Sequence, residues 1–239
     1  MSKKDNIYQK GDFNDLPFTF NKEVTEVFED MIVRSVPGYI SSLTIIKNLT
    51  SKFFQKDSAF YDLGCSLGAV TKKISSTVEE RKGTILAIDN SEAMIKSCRA
   101  KIQDQHIEFI LEDVTQTAIK NSSVVTLNFV LQFLKLSQRK SLIRNIYRGI
   151  NKKGILIISE KIHFSSQRED SSVSKIHHDF KLSNGYSNLE VARKRDALEG
   201  VLVSQTEKDH YDLLKEVGFF RVSTVMKNLN FITLVAFKE

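Results

Sequence analysis

Residues 58–68, SAFYDLGCSLG, decide the fold, because an apolar run ends there in a glycine-containing loop just ahead of a helical pattern. That helical pattern runs from about Leu67 to Glu79. The next strand is predicted at 83–90, GTILAIDN, and Ser91 is placed to cap the helix 91–102, SEAMIKSCRAKI. Strands separated by helix-length segments imply parallel pairing with crossover helices.

The same alternation continues toward the carboxyl terminus. Strands are predicted at 106–113 (HIEFILED), 122–129 (SSVVTLNF) and 154–160 (GILIISE), the last entered through Gly154. A helix over 137–150 lies between the last two, with Ser137 as its predicted cap. The pattern 207–219 predicts an amphipathic helix ending at Gly218, followed by two strand-like runs, 220–228 and 230–238, joined by a turn containing Asn228.

These elements predict one α/β domain over residues 1–239. Within it we expect an amino-terminal helical extension (1–55, irregular up to about residue 20), an α/β nucleotide-binding core (56–160), a helical insertion or cap (161–205), and a final helix with a strand pair (206–239). The insertion is charged and has too little apolar mass to fold independently.

Composition places the chain among ordinary globular proteins, since 41% of residues are apolar and 27% charged, with a net charge of +6. It contains neither the roughly 18 uninterrupted apolar residues of a membrane span nor a secretory signal pattern. We therefore expect a cytoplasmic protein without a membrane partner, and reduced Cys65 and Cys98. Because no Cys/His spacing of zinc type is present, we expect no metal.

Acidic residues and glycines mark three successive strand ends. Asp62 and Gly64 end the first strand, Asp89 the second and Asp113 the third, all at the edge where open α/β sheets bind ligands. A glycine allows a ligand close to the backbone, Asp89 suits the two hydroxyls of a ribose, and Asp113 suits an amino group such as that of adenine. Alternatively, the glycines serve only a tight connection and Asp89 caps the helix at Ser91. A nicotinamide site is disfavoured because Ser66 occupies the middle glycine position.

Several basic residues are left open by the sequence. Lys140, Arg144 and Arg148 share one helix face that is solvated or contacts tRNA or another enzyme. Arg34 is either an anion clamp or a cation at a helix end. The pair His177 and His178 is read as structural, although contact with a substrate stays open.

The segment DLGCSLG resembles the acidic-x-G-x-G-x-G motif of class I S-adenosylmethionine-dependent methyltransferases, with Ser66 replacing one glycine. The resemblance implies a Rossmann-like fold whose mostly parallel sheet has an antiparallel last strand. A closer resemblance, to the carboxy-S-adenosyl-L-methionine synthase family, is carried by RSVPGY (34–39), YDLGCSLGAVT (61–71), AIDNSEAMI (87–95), LNFVLQFL (127–134), ISEK (158–161), HHDFK (177–181), NGYSNLE (184–190) and KRDALE (194–199).

This resemblance implies that Arg195 binds the extra carboxylate of carboxy-S-adenosyl-L-methionine and is the catalytic residue. It implies that the cofactor is surrounded by Tyr39, Gly64, Cys65, Ser66, Asp89, Asn90, Asp113, Val114, Asn128 and Arg195. The implied reaction converts S-adenosyl-L-methionine and prephenate to carboxy-S-adenosyl-L-methionine, phenylpyruvate and water, supplying the cofactor for modification of tRNA wobble uridine.

The resemblance also implies a homodimer that hands its product to a tRNA carboxymethyltransferase, so that direct tRNA binding is not required. Two alternatives remain open. An ordinary methyltransferase would use the same nucleotide pocket for a small molecule or RNA, without a need for Arg195. A non-catalytic protein would bind S-adenosylmethionine without turnover.

Overall fold

Seven strands form one sheet in the described part of the chain, residues 3–9 and 17–239 of the computed structural model. The strands are β1 (Ala59–Leu63), β2 (Thr84–Asp89), β3 (Ile107–Leu111), β4 (Ser122–Asn128), β5 (Ile150–Lys161), β6 (Arg221–Asn228) and β7 (Phe231–Phe237). Their spatial order is 3-2-1-4-5-7-6. The pairs among β1 to β5 are parallel, and β7 runs antiparallel to both of its neighbours. The expected mostly parallel sheet with an antiparallel last strand is therefore confirmed.

The helices are α1 (Lys22–Ser35), α2 (Tyr39–Phe53), α3 (Ala69–Glu80), α4 (Glu92–Lys101), α5 (Leu136–Gly149), α6 (Gln167–Ser183), α7 (Asn188–Ala197) and α8 (Glu207–Val217), with a 3₁₀ turn at Leu131–Phe133. The amino-terminal helical extension expected over residues 1–55 contains α1 and α2. The irregular stretch expected up to residue 20 lies partly outside the described residues.

Apolar layers cover both faces of the sheet, which explains why the strand sequences are almost continuously apolar. Alternate side chains of β1 enter opposite layers. Phe60 joins the layer built with α2, α3 and α4, whereas Tyr61 and Leu63 join the layer built with α5 and α8. Helix α1 lies outside these layers and packs Val24, Val27 and Met31 against Met94 and Leu67.

Three local predictions are wrong. Helix α5 begins at Leu136 after an extended Lys135, so Ser137 is already inside the helix and caps nothing. Strand β5 begins at Ile150, and its regular pairing with β4 resumes at Ile155 beyond Gly154. Asn228 is the last residue of β6, paired with Phe231, and the turn is made by Leu229 and Asn230.

The two ends of the segment 162–205, which follows β5, lie next to each other at the edge of the core. Ile162 forms a β-bridge with Gln205, and α6 and α7 lie between these two positions. The buried guanidinium of Arg139 on α5 donates to Gln205 Oε1 (2.7 Å) and to the carbonyl of Val203 (2.7 Å). These contacts hold α6 and α7 beside the carboxyl ends of the strands. The division of the chain into four units remains a prediction.

Candidate active site

A cavity of about 1010 Å³ lies at the carboxyl edge of the central strands, between that edge and helices α1, α2, α6 and α7. Small-molecule sites have volumes of about 300–1,000 Å³, so this cavity is large enough for a nucleoside cofactor together with a second reactant. All ten residues predicted to surround the cofactor line it: Tyr39, Gly64, Cys65, Ser66, Asp89, Asn90, Asp113, Val114, Asn128 and Arg195.

The loop after β1 is shaped by backbone conformations that glycine favours. Gly64 has φ +75° and Gly68 has φ +72°, in the left-handed region. The amides of Gly64 and Cys65 donate to the carbonyl of Ile88 (2.8 and 2.9 Å), which binds the loop to β2. Ser66, which replaces a motif glycine, also has a positive φ of 49°. The substitution therefore keeps the loop conformation.

Asp62 is fully buried at the end of β1, where it organises the start of α3. Its Oδ2 accepts hydrogen bonds from the hydroxyl (2.6 Å) and amide (3.1 Å) of Thr71, and its Oδ1 accepts from Thr126 Oγ1 (3.1 Å). Burial raises the pKa of Asp62 to about 6, although these hydrogen bonds oppose the shift. The carboxyl thus positions the loop and lines the cavity floor.

Asp89 and Asp113 present carboxylates from neighbouring strand ends. Asp89 accepts from the amides of Ser66 and Ser91, both at 2.9 Å, and burial raises its pKa. Asp113 is exposed, and its Oδ1 accepts from the amide and hydroxyl of Thr115 (both 2.8 Å). Each carboxylate keeps acceptor capacity for a ligand, because an ionised carboxylate has about four lone-pair sites. The cap predicted for α4 is made by Ser91, whose hydroxyl accepts from Met94 N.

Asn128 and Tyr39 face the cavity from the other side of the loop. Asn128 Oδ1 is buried and has no hydrogen-bond partner within the described residues. A buried acceptor without a partner costs free energy unless a ligand donor satisfies it. The Tyr39 ring lies 6.3 Å from the Phe129 ring, and burial, together with Asp62 and Glu29, raises its hydroxyl pKa. Both side chains suit the donor groups of a bound cofactor.

Arg195 lies on α7 at the mouth of the cavity. Its side chain is 73% exposed, and its Nη2 lies 3.0 Å from Asp196 Oδ1. A guanidinium in this position is free to turn toward a carboxylate inside the cavity, because an exposed ion pair with a neighbouring residue is weak. The structure therefore brings Arg195 to the same cavity as the strand-end residues.

Glu160 does not line the cavity, but it supports the lining in a way that sequence reasoning missed. Its carboxylate is fully buried and accepts from the amides of Val130 (3.0 Å), Leu131 (2.8 Å) and Gln132 (3.0 Å). Burial raises its pKa to about 8 against these hydrogen bonds. Glu160 thereby fixes the turn of the LNFVLQFL segment, in which Phe129 has φ +64° and lines the cavity. The motif ISEK could have indicated this role, because an acidic residue in a buried strand is seldom left without hydrogen-bond partners.

Lys161, Lys181 and Lys194 also line the cavity and were not predicted. They lie in the motifs ISEK, HHDFK and KRDALE, but only packing shows that the three ammonium groups share one side of the cavity. His177 lines the cavity too, and its Nε2 is bonded to the carbonyl of Ser35 (2.8 Å). His178 is bonded to Asn188 Oδ1 (2.9 Å) and is not among the lining residues.

Arg34 does not line the cavity. Its guanidinium stacks 3.8 Å from the centre of the Tyr186 ring and donates to the carbonyls of Asn184 (2.7 Å) and Asp5 (3.0 Å). It joins the amino-terminal segment to the turn between α6 and α7, which is a structural role. The face with Lys140, Arg144 and Arg148 lies on α5, away from the cavity lining, and Lys140 pairs with Glu216.

Cys65 and Cys98 are free thiols, both buried. Contact with Cys98 and burial raise the pKa of the Cys65 thiol, which disfavours a nucleophilic thiolate. Across the described ranges, no group of three or more His, Cys, Asp or Glu residues is arranged to hold a metal ion. No helix in the same ranges has the length and apolar character needed to cross a membrane.

Comparison with known proteins gives a family match and close relatives. A methyltransferase domain model matches residues 61–158. The chain is 42% identical over 225 residues to a carboxy-S-adenosyl-L-methionine synthase of Actinobacillus pleuropneumoniae serotype 7, covering 92% of this chain and 93% of that protein. It is 41% identical over 241 residues to the enzyme of that name from Shewanella pealeana, covering 99% of each.

Solved structures resemble the fold at low sequence identity. Human N-acetylserotonin methyltransferase in complex with SAM has a TM-score of 0.61 at 15% identity, covering 91% of this chain and 55% of that one. Magnesium protoporphyrin IX methyltransferase from Synechocystis with bound SAH has a TM-score of 0.56 at 16% identity, covering 84% of each chain. The fold is that of class I S-adenosylmethionine-dependent methyltransferases, and the near full-length identity to the named synthases shows that the chain belongs to the carboxy-S-adenosyl-L-methionine synthase family.

Proposed function

We propose that this protein converts S-adenosyl-L-methionine and prephenate to carboxy-S-adenosyl-L-methionine, phenylpyruvate and water. The observation that carries the proposal is that Arg195 and the other nine residues expected to surround the cofactor line the same cavity. The family relationship supplies the reaction, since relatives about 40% identical over nearly the whole chain bear the synthase name.

The cofactor fits the residues present. We propose that Asp89 accepts from the ribose hydroxyls, Asp113 from the adenine amino group, and the partnerless Oδ1 of Asn128 from another donor of the ligand, since all three line the cavity. Gly64 presents only backbone atoms to the cavity. Tyr39 covers the cofactor from α2. These assignments are part of the proposal.

The reaction balances without a protein base. The sulfonium makes its methyl hydrogens acidic, so removal of one gives an ylide carbon nucleophile. Prephenate loses its ring carboxylate as carbon dioxide and its ring hydroxyl as hydroxide, and the ring becomes aromatic. Hydroxide takes the methyl proton to form water, and the ylide carbon bonds to carbon dioxide to form the new carboxylate. The protein holds both reactants together and keeps bulk water out.

Arg195 is proposed to hold the carboxylate that is transferred. A guanidinium binds a carboxylate through two parallel hydrogen bonds, which fixes its orientation as well as its position. The exposed location of Arg195 at the cavity mouth leaves its donors available for this role.

Mass spectrometry of the reaction tests the proposal. S-adenosylmethionine is incubated with the protein, with and without prephenate. We expect a product heavier than S-adenosylmethionine by one carbon dioxide, formed only with prephenate. Arg195→Ala should lower its formation at least about tenfold, because a hydrogen-bonded ion pair contributes roughly 1.5–3 kcal/mol. Arg168→Ala, on α6 and outside the cavity lining, is the matched control and should keep full activity.

Two other results would reject the proposal. S-adenosylhomocysteine formed with a methyl acceptor, and no response to prephenate, would favour an ordinary methyltransferase. Binding of S-adenosylmethionine without turnover in either condition would favour a non-catalytic role.

The proposal extends to the partners implied by the resemblance. We propose a cytoplasmic homodimer that hands its product to a tRNA carboxymethyltransferase, so that the chain itself has no need to bind tRNA. The metal-free chemistry above supports a site that works without a metal ion.

A further inference from the structure

Three lysines converge on one side of the cavity from three different elements. Lys161 is the last residue of β5, Lys181 lies in the last turn of α6, and Lys194 lies on α7. All three line the cavity, and none is fully exposed. Arg195 follows Lys194 directly, at the cavity mouth. The cavity therefore has a cationic side in addition to the acidic strand ends that are expected to hold the nucleoside.

The cationic side has few counter-charges within the described residues. The ammonium groups of Lys161 and Lys181 have neither a hydrogen bond nor an ion pair there. Lys194 Nζ donates to Ser35 Oγ (2.9 Å) and lies 3.9 Å from Asp5 Oδ2. That carboxylate also accepts from the Tyr186 hydroxyl. Asp170 is a more distant counter-charge for Lys161, and Asp30 for Lys194.

Burial of these charges is unfavourable as long as no anion is bound. Desolvation, together with repulsion from Lys161 and Arg195, lowers the pKa of Lys181 to about 8. Desolvation is also the main reason that the pKa of Lys194 is lowered to about 8. It lowers the pKa of Lys161 as well. Like charges in a dry cavity repel one another, and a bound carboxylate would relieve this cost.

Two carboxylates of the second reactant need partners in the proposed reaction. One leaves the ring and ends on the cofactor, where Arg195 is placed to hold it. The other belongs to the α-keto acid side chain, is retained in phenylpyruvate, and requires a cation of its own. We propose that Lys161, Lys181 and Lys194 form a subsite that binds this side-chain carboxylate. The inference rests on the proposed function, because prephenate is the reactant that brings two carboxylates into the cavity.

The apolar wall beside the lysines suits the rest of an aromatic keto acid. Phe231 lines the cavity, and its ring lies 5.0 Å from the His177 ring. Burial lowers the pKa of His177 to about 3, so its imidazole adds no charge near neutral pH. A ring that becomes aromatic would rest against this wall while the lysines hold the keto acid.

The test compares Lys181→Gln with Lys181→Arg. Lys181 is chosen because, among the described residues, its ammonium makes no hydrogen bond or ion pair that a substitution would break. We expect Lys181→Gln to raise the KM for prephenate about 10- to 100-fold and to leave the Kd for S-adenosylmethionine within about twofold. Lys181→Arg should recover most of the loss because it keeps the charge. Lys140→Gln, on α5 outside the cavity, should change neither constant.

A direct binding measurement separates this inference from the proposed function. Calorimetric titration of wild type with phenylpyruvate should show binding that Lys181→Gln weakens by the same factor. If wild type makes no carboxylated product but this difference persists, the reaction is wrong and the keto acid subsite stands. Equal weakening of S-adenosylmethionine and phenylpyruvate would overturn the subsite, because the lysines would then hold the methionine carboxylate. Unchanged binding of both ligands to Lys181→Gln and to Lys161→Gln would also overturn it.

Discussion

The three aspartates near the strand ends have different structural roles, although they occupy equivalent positions in the sequence pattern. Asp62 is buried and bonded to Thr71 and Thr126, so it builds the loop. Asp89 is only partly buried, and it supports the loop while facing the cavity. Asp113 is exposed and bonded to its own turn. The chemistry of each residue depends on which of its oxygens the protein already uses.

Asp89→Asn is expected to weaken S-adenosylmethionine binding about 10- to 100-fold, because a neutral amide replaces a charged acceptor for the ribose hydroxyls. Calorimetric titration measures the Kd. Asp104→Asn is the matched control, since Asp104 also accepts a backbone amide, from His106 at 2.9 Å, but lies outside the cavity. Equal losses of affinity in the two variants would contradict the ribose assignment.

Elements meet closely at the glycine loop, where a helix, two strands and the β4–α5 connection share little space. A Cβ added at Gly64 would lie 2.4 Å from Val130 Cγ2. Val130 cannot move aside easily, because it is β-branched and its amide is bonded to Glu160. The close approach of these elements therefore requires a residue without a side chain at position 64.

Gly64→Ala is expected to destabilise the protein by about 2–4 kcal/mol, since it combines a left-handed φ with a steric clash. Gly200→Ala is the matched control, because Gly200 has φ +71° with nothing within 4 Å of the added Cβ. Its cost should be about 1–2 kcal/mol from the backbone alone. Chemical denaturation measures both free energies of unfolding, and equal costs would show that the clash is absent.

At the scale of the whole molecule, buried histidines couple stability to pH. Burial, together with the nearby charge of Arg139, lowers the pKa of His210 to about 4. Neither ring nitrogen of His210 has a hydrogen-bond partner within residues 3–9 and 17–239. Between pH 6.5 and about 4, His210 binds a proton in the unfolded chain but stays neutral in the folded chain. Its contribution to the free energy of unfolding therefore falls progressively as the pH decreases from 6.5 toward 4.

His210→Leu is expected to remove that penalty. The gain in unfolding free energy over wild type should be larger at pH 5 than at pH 7.5 by about 2 kcal/mol, as a pKa lowered from 6.5 to about 4 requires. Urea denaturation of both proteins at the two pH values measures the difference. His178→Leu, which removes a partly exposed imidazole, is the control. A gain that is independent of pH would show that folding does not lower the pKa of His210.

The sequence by itself determined the alternation of strands and helices, the antiparallel final pair, and the strand-end residues Gly64, Asp89 and Asp113, whereas the other predicted cofactor residues came from the family resemblance. These features are local, since hydrophobic period and turn residues act over a few positions, and strand ends share an edge once the pairing is parallel. The predictions for the start of α5 and for the turn between β6 and β7 were wrong. The boundaries of helices and strands therefore depend on contacts beyond the local pattern.

Tertiary structure alone decided which charged residues meet. Arg34 became a structural link because Tyr186 and Asn184, about 150 positions away, pack against it. Lys161, Lys181 and Lys194 became neighbours because α6 and α7 fold back over the end of β5. No local pattern encodes such meetings, since the electrostatic free energy of a side chain depends on burial and on charges that distant segments bring to it.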